Sequence, residues 1–334
     1  MSYTQWKDGY AVEATFKDNT TLNDAADVAY LLGAISEESQ WPSPTYSINY
    51  NPTGVNAKEV AAGLLWKSQA SLRGMIGLVM QNGVPIWLAM GNSATVATVH
   101  TITPYTDGTL LPSIVIQHEE SGTATTEEYQ FQGVKVDSLV LSHDMKKGAP
   151  NVLMAKLEIM AGFAEDPGFA LAADPALPAT ANASPYVSLT RTWDYGAGNV
   201  ALNGLQKVEI AIINGLEPLY AHSWDTGVYT GRWPYAFAEA AQKLYHITLT
   251  LAKNTIERLL WTELITAANT KELYFKWTRS ATDYIAVTAT DCQIKSHEVK
   301  TPKKGEGDMV VVEIEPRALS FEVKDLVAAG AYGD

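Results

Sequence analysis

Between Tyr129 and Leu141 apolar and polar residues alternate. Tyr129, Phe131, Val134, Val136, Leu139 and Leu141 stand against Gln130, Gln132, Lys135 and Asp137, with Gly133 as the one break. A period of two sends successive side chains to opposite faces, so this stretch predicts two half-buried strands or one bulged strand. Val152 to Ile159, Leu244 to Leu251 and Met309 to Ile314 alternate or run apolar in the same way and predict further strands. Helical spacing is rarer. Asn254 or Thr255 can cap a run that places Ile256, Leu259, Leu260 and Ile265 on one face, and Ser71 to Met80 predicts a shorter helix. The pattern is mainly β with flanking helices, an α+β class with one main helix in each half.

The alternation stops between Gly162 and Tyr186, where Pro167, Pro175, Pro178 and Pro185 recur among small residues. Each proline removes a backbone donor and pushes its predecessor toward extended geometry, so the segment predicts a semi-rigid strap. It divides the chain into a first domain (1–161), a linker (162–186) and a second domain (187–334). The two halves share an order of short motifs. Ser142-His143-Asp144, Lys146-Lys147-Gly148 and Leu157-Glu158-Ile159 in the first match Ser296-His297-Glu298, Lys303-Lys304-Gly305 and Val312-Glu313-Ile314 in the second. Upstream, Leu65 to Ser68 matches Leu244 to Ile247, and Ser47 to Asn51 matches Ala211 to Asn214. Such self-similarity predicts a duplicated β domain.

Charge and composition narrow the function. Lys and Arg number 24 against 37 Asp and Glu, a net charge of −13, so the surface repels phosphate and disfavours ordinary nucleic-acid grip. Cys292 is the single cysteine, which excludes an internal disulfide, and the first residues lack the basic start and apolar run of a signal peptide, so the chain reads as intracellular. The most apolar part, Gly74 to Met90, is broken by Gln81, Asn82, Gly83 and Pro85, so no membrane-spanning helix and no membrane partner are expected.

Catalytic patterns are missing. Gly196-Ala-Gly198 and Gly305-Glu-Gly307 lack a third glycine and a strand-to-helix setting, and the six histidines stand outside metal-ligand spacing of one another and of Cys292. His118 with Glu119 and Glu120 reads as a solvated strand end. His143-Asp144 and His297-Glu298 read as paired structural elements, and Asp18, Asn19, Asp24 and Asp27 lack the spacing of a calcium loop. The expectation is therefore no enzyme, no cofactor and no metal. Trp224, Tyr229, Trp233, Tyr235 and Phe237 fall in a long segment, Leu216 to Gln242, between two strands. Large aromatics in a loop of that length fit a protein interface, a carbohydrate platform or a satellite cluster folded back on its own domain, and Trp224, Tyr229, Trp233 and Tyr235 are the candidate contact residues.

The stretch Tyr129-Gln-Phe-Gln-Gly-Val-Lys-Val-Asp-Ser-Leu-Val-Leu-Ser, its turn and the returning strand Val152-Leu-Met-Ala-Lys-Leu-Glu-Ile resemble the tail tube (major tail) proteins of long-tailed bacterial or archaeal viruses. Val208-Glu-Ile-Ala-Ile-Ile-Asn-Gly-Leu-Glu-Pro resembles another strand of that family, although Gly215 stands where a second Asn is common and the strand from Tyr284 lacks the Phe-x-Gly signature. The resemblance implies two similar β-sandwich or barrel domains, each with one helix. It also implies edge strands that pair between subunits into a homotrimeric, pseudo-sixfold ring, and rings stacked into the hollow tube through which viral DNA passes. Partners would then be the same chain, a tape measure protein and tail tip or terminator proteins. The setting would be the virion tail, assembled in the host cytoplasm, with an acidic wall that keeps DNA from sticking. Three other readings fit the same sequence: a carbohydrate- or cell-surface-binding adhesin that uses the aromatic loop, an enzyme whose site is built from scattered Asp and Glu, and a tube subunit of a contractile injection system.

Overall fold

The computed structural model describes residues 5–12, 29–30, 34–35, 39–45, 48–50, 65–67, 71–105, 111–121, 126–146, 148–165, 185–195, 198–220, 234, 236–240, 243–266, 271–300, 308–325, 327 and 332. The first elements are β1 (Gln5–Val12), β2 (Ala29–Tyr30), β3 (Ala34–Ile35), β4 (Gln40–Thr45), β5 (Ile48–Tyr50), β6 (Leu65–Lys67), β7 (Ser71–Val79) and α1 (Val84–Met90). Then follow β8 (Gly91–Val96), β9 (Val99–Pro104), β10 (Ile114–Ser121), β11 (Thr126–Asp144), β12 (Leu153–Ala161), β13 (Phe163–Glu165), β14 (Ser188–Tyr195), β15 (Gly198–Ala201) and β16 (Leu205–Ile213). The chain ends with β17 (Glu217–Leu219), β18 (Ala236–Ala238), β19 (Leu244–Ala252), α2 (Thr255–Thr266), β20 (Lys271–Ser280), β21 (Asp283–Lys300), β22 (Met309–Glu315) and β23 (Ala318–Lys324).

All strand pairs are antiparallel. A central sheet runs β4–β7–β12–β11–β16–β19–β22–β21, with β3 extending the line of β4 along β7. A second layer runs β8–β9–β23–β21–β20–β14–β15, and a third β2–β1–β10–β11–β13. The hairpins β5–β6 and β17–β18 stand apart. Among the described residues no sheet closes on itself.

Two long strands, β11 and β21, hold the layers together, because each gives its first half to one sheet and its second half to the central one. Bulges make the bend possible, since an extra residue on one strand turns its course. In β11 the register slips across Val136 to Ser138, and Gly133 has φ +59°. In β21 it slips across Ile294 to Ser296, and Asp291 has φ +53°. The predicted choice for 128–141 thus resolves as one bulged strand.

The alternating residues bury as expected: Leu139, Leu141, Ile210, Ile212, Leu249 and Val312 of the central sheet join Leu273, Phe275, Val287 and Phe321 of the second layer in one core that spans both halves. Trp277 crosses between the layers, its Nε1 donating to His143 Nδ1 at 2.9 Å. Among the described residues two strand pairs cross from one half to the other, β11–β16 and β9–β23. Most of the predicted strap, 166–184, lies outside the described residues, and its first part, β13, pairs with β11.

Ser71 to Met80 is a strand and its flank, not a helix. Gly74 and Gly77 lower its helical preference, and β12 and β4 both pair with it, so long-range ladders override its local spacing. The helix of this half is α1, which starts four residues after Met80, is entered through Gly83 with Pro85 in its first turn and is ended by Gly91 at φ +96°. Each half does carry one main helix, and α2 starts where predicted: Asn254 Oδ1 accepts from the amides of Ile256 at 2.8 Å and Glu257 at 3.2 Å.

Candidate assembly seam and edges

The order β4–β7–β12–β11 recurs as β16–β19–β22–β21. Within each set a hairpin lies between the first two strands in sequence (β5–β6, β17–β18), and a helix follows the second strand (α1, α2). The fine correspondence is set by the ladders. Ser138 Oγ donates to Glu158 at 3.0 Å and Ser296 Oγ to Glu313 at 2.9 Å, each one residue past its bulge. Ser296 therefore answers to Ser138, four residues from the Ser142 match read in the sequence, whereas Leu157-Glu158-Ile159 and Val312-Glu313-Ile314 do occupy equivalent places. By the same ladders β19 answers to β7 and Ile210–Ile213 to Pro42–Thr45, not to the segments that the sequence matched.

Where the two sets meet, β11 pairs with β16 from Ser138↔Ile213 to Asp144↔Lys207. A polar clasp locks this seam beside the bulge. Asn214 donates its amide to Asp137 O at 2.8 Å and its Nδ2 to Val136 O at 2.8 Å and Ala89 O at 3.1 Å, and Leu216 N donates to Asp137 Oδ1 at 2.7 Å. Lys243 Nζ donates to Ala89 O at 2.6 Å and Asn214 Oδ1 at 2.8 Å and lies over the Tyr105 ring. Burial pushes its ammonium down to about 7, against a smaller upward pull from Glu239. Lys135 pairs with Glu239 at 2.8 Å, both almost fully buried, and Glu239 also accepts from Leu111 N. The clasp satisfies the Ala89 carbonyl in the last turn of α1, a helix that is buried along its whole length.

At the outer ends of the same sheet stand β4, whose only described partner in this stretch is β7, and the second half of β21, whose only described partner is β22. They are the counterparts of β16 and β11, the two strands joined at the seam.

One face of the central sheet is polar. Ser138 with Glu158, Ser296 with Glu313, Lys295 with Glu315 at 2.6 Å and Lys207 with Glu209 at 2.8 Å pair across or along it, and His246 lies 3.6 Å from Glu315. Cations and carboxylates are interspersed there, so this face is mixed in charge. Lys295 and Glu315 hold each other in their charged forms, the amine raised and the carboxyl lowered.

The other candidate groups have structural surroundings. His143 Nε2 donates to Asn151 Oδ1 at 3.0 Å while Nδ1 accepts from Trp277, and burial lowers its pKa, which keeps the ring neutral. His297 lies 2.9 Å from Glu257 and edge-on to Trp261. Burial raises the Cys292 thiol to about 12, which makes it unreactive. Among the described residues no three His, Cys, Asp or Glu side chains converge as a metal site, and no helix is long and apolar enough to cross a membrane. Trp224, Tyr229, Trp233 and Tyr235 lie outside the described residues, as do Asp18, Asn19, Asp24 and Asp27, while Phe237 of the same aromatic segment is buried with Leu216, Leu111 and Met160. The seam and the two open edges had no signal in the sequence, because they depend on which strands pair across the whole chain. A scan against protein-family models and a search of curated proteins each return no match.

Proposed function

We propose that the chain is a structural subunit of a hollow tube, the tail tube of a long-tailed virus, built from two copies of one β domain. One observation carries this reading: the joint that unites the two strand sets inside the chain, β11 to β16, is available again between its two ends, β21 of one copy and β4 of the next. Repeating that joint needs no new geometry. Exposed sheet edges must be paired or blunted, and closing a ring pairs them. Three copies of the eight-stranded sheet, with strands about 4.8 Å apart and tilted by about 40°, close at a backbone diameter of roughly 50 Å, a bore that passes duplex DNA.

In this ring the polar face of the central sheet lines the bore. Its lysines are matched by neighbouring carboxylates, so a phosphate backbone meets little net attraction and slides. The chain acts by shape and self-assembly, not as an enzyme. Rings stack into the tube, with Trp224, Tyr229, Trp233 and Tyr235 as the contact residues between rings. A tape measure protein inside and tip and terminator proteins at the ends complete the set of partners. The setting is the virion tail, assembled in the host cytoplasm.

The seam fixes the register of the joint. Val140↔Ala211 becomes Glu298 of one copy opposite Ser43 of the next, both exposed in the single chain. With Ser43→Cys and Glu298→Cys introduced together, mild oxidation yields covalent oligomers that end at a closed trimer, while either substitution alone yields none. Cys292 is buried and takes no part. Denaturing electrophoresis reads the ladder, and a double variant that stays monomeric under oxidation at high concentration overturns the joint.

A further inference from the structure

The two helices hold equivalent positions but meet different fates. Every residue of α1 is buried, whereas in α2 only Glu257 and Leu260 are. Trp261 is 44% and Ile265 63% exposed on α2, and Val299 is 53% exposed on β21 nearby. These three form one patch. Trp261 packs edge-on against His297 at 5.0 Å between ring centres, and Val299 follows two residues later on the same strand and so on the same face. The counterpart of Val299 is Leu141, 1% exposed at the seam. An apolar cluster at an open sheet edge, equivalent to one that is fully covered elsewhere in the molecule, is missing its cover.

The seam shows what supplies the cover. Over α1 it is in part the segment between β16 and β19, which brings Asn214 and Lys243 to the Ala89 carbonyl, beside the β8–β9 hairpin that also packs on the helix. The corresponding segment lies between β4 and β7 and contains the β5–β6 hairpin. Within one chain β4 and β7, which bound this segment, lie at the far end of the central sheet from β21 and α2. When β21 of one copy pairs with β4 of the next, it arrives beside α2.

We infer that the Trp261, Ile265 and Val299 patch is a docking surface for a second copy of this chain, covered by the segment between its β4 and β7. This rests on the ring reading above and adds a second contact to each joint, outside the bore and independent of the backbone ladder. Apolar anchors of this size dominate the strength of many protein interfaces.

Two measurements on the full chain test it. Ile265→Glu puts a charge on a side chain that is mostly in solvent in the single chain, so it folds as the wild type does. It is expected to raise the concentration of half-assembly, followed by sedimentation velocity, about tenfold or more. Hydroxyl-radical footprinting is expected to show Trp261 protected in assemblies and reactive in dispersed chains. If the Ser43→Cys, Glu298→Cys pair still cross-links while Ile265→Glu assembles normally and Trp261 stays reactive, the docking surface is wrong and the edge joint stands. If the pair fails to cross-link and the wild-type chain stays monomeric with Trp261 reactive throughout, both are overturned.

Discussion

Asn214 and Lys243 show how much one residue can govern. Asn214 is 1% exposed, and its side chain serves two carbonyls and the Lys243 amine at once. Asn214→Ala leaves the Val136 carbonyl without its side-chain donor and Lys243 short of an acceptor, a loss of about 2–4 kcal/mol, read as a lower urea midpoint with an unchanged slope. Lys243 makes the clasp sensitive to pH. Its folded pKa, about 7, lies below the ordinary value of 10.5, so between those values the unfolded chain binds the proton and the folded chain does not. Stability therefore rises with pH from about 7 to 10.5 and gains nothing from this group below 7, where both states are protonated. Neutral Lys243 still has two N–H donors, enough for Ala89 O and Asn214 Oδ1. Unfolding followed from pH 7 to 9.5 should show the rise in the wild type and lose it in Lys243→Met; an equal rise in both excludes Lys243 as its source.

At the scale of elements, what could be read from the sequence depended on how local each signal was. Period-two alternation announced β11, β12, β19 and β22, because each buries one face. The cap announced α2, because Asn254 acts on the next three residues. That cap also ties the helix to a turn: Asn254 Nδ2 donates to Asn203 O at 2.8 Å, over Gly204 at φ +85°. Asn254→Ala is expected to cost about 1–2 kcal/mol and to raise amide exchange in the first turn of α2 first. Uniform exchange along α2 would count against the cap as its anchor. By contrast α1 was illegible, since a helix buried on all sides has no polar stripe to set its period. The strand β7 was misread for a related reason: Leu72, Met75, Ile76 and Val79 fit helical spacing, and only β12 and β4, paired from distant parts of the chain, make it a strand. The seam lay beyond sequence reading altogether. Nothing near Ser138 specifies that Ile213 will face it, and the repeat matches drifted by several residues because short alternating strands align equally well in several registers.

For the whole molecule, the proposed assembly raises the question of what holds two compatible edges back from pairing indiscriminately. The edge strand β4 contains Pro42 and Pro44, which have no N–H to give. Residues two apart point their backbone groups to the same side, and prolines are tolerated in a ladder only where the nitrogen faces away from the partner. Pro42 sits in the irregular stretch against Gly74 of β7, and Pro44, past it in the regular ladder, leaves its blank on the outer side, where the next copy would pair. Its counterpart β16 has Ile210 and Ile212 at the same places and forms a full ladder with β11. The proposed joint between chains would thus be weaker than the seam within one, and blunted edges of this kind hold back indiscriminate sheet extension. In the proposed ring the ladder would therefore be supplemented by other contacts. Pro44→Thr restores one donor, worth about 1 kcal/mol, and should lower the concentration of half-assembly by about fivefold at each joint. Light scattering on a dilution series gives the shift directly. If Pro44→Thr assembles no more readily than the wild type, or less so, the proline is not what restrains the edge.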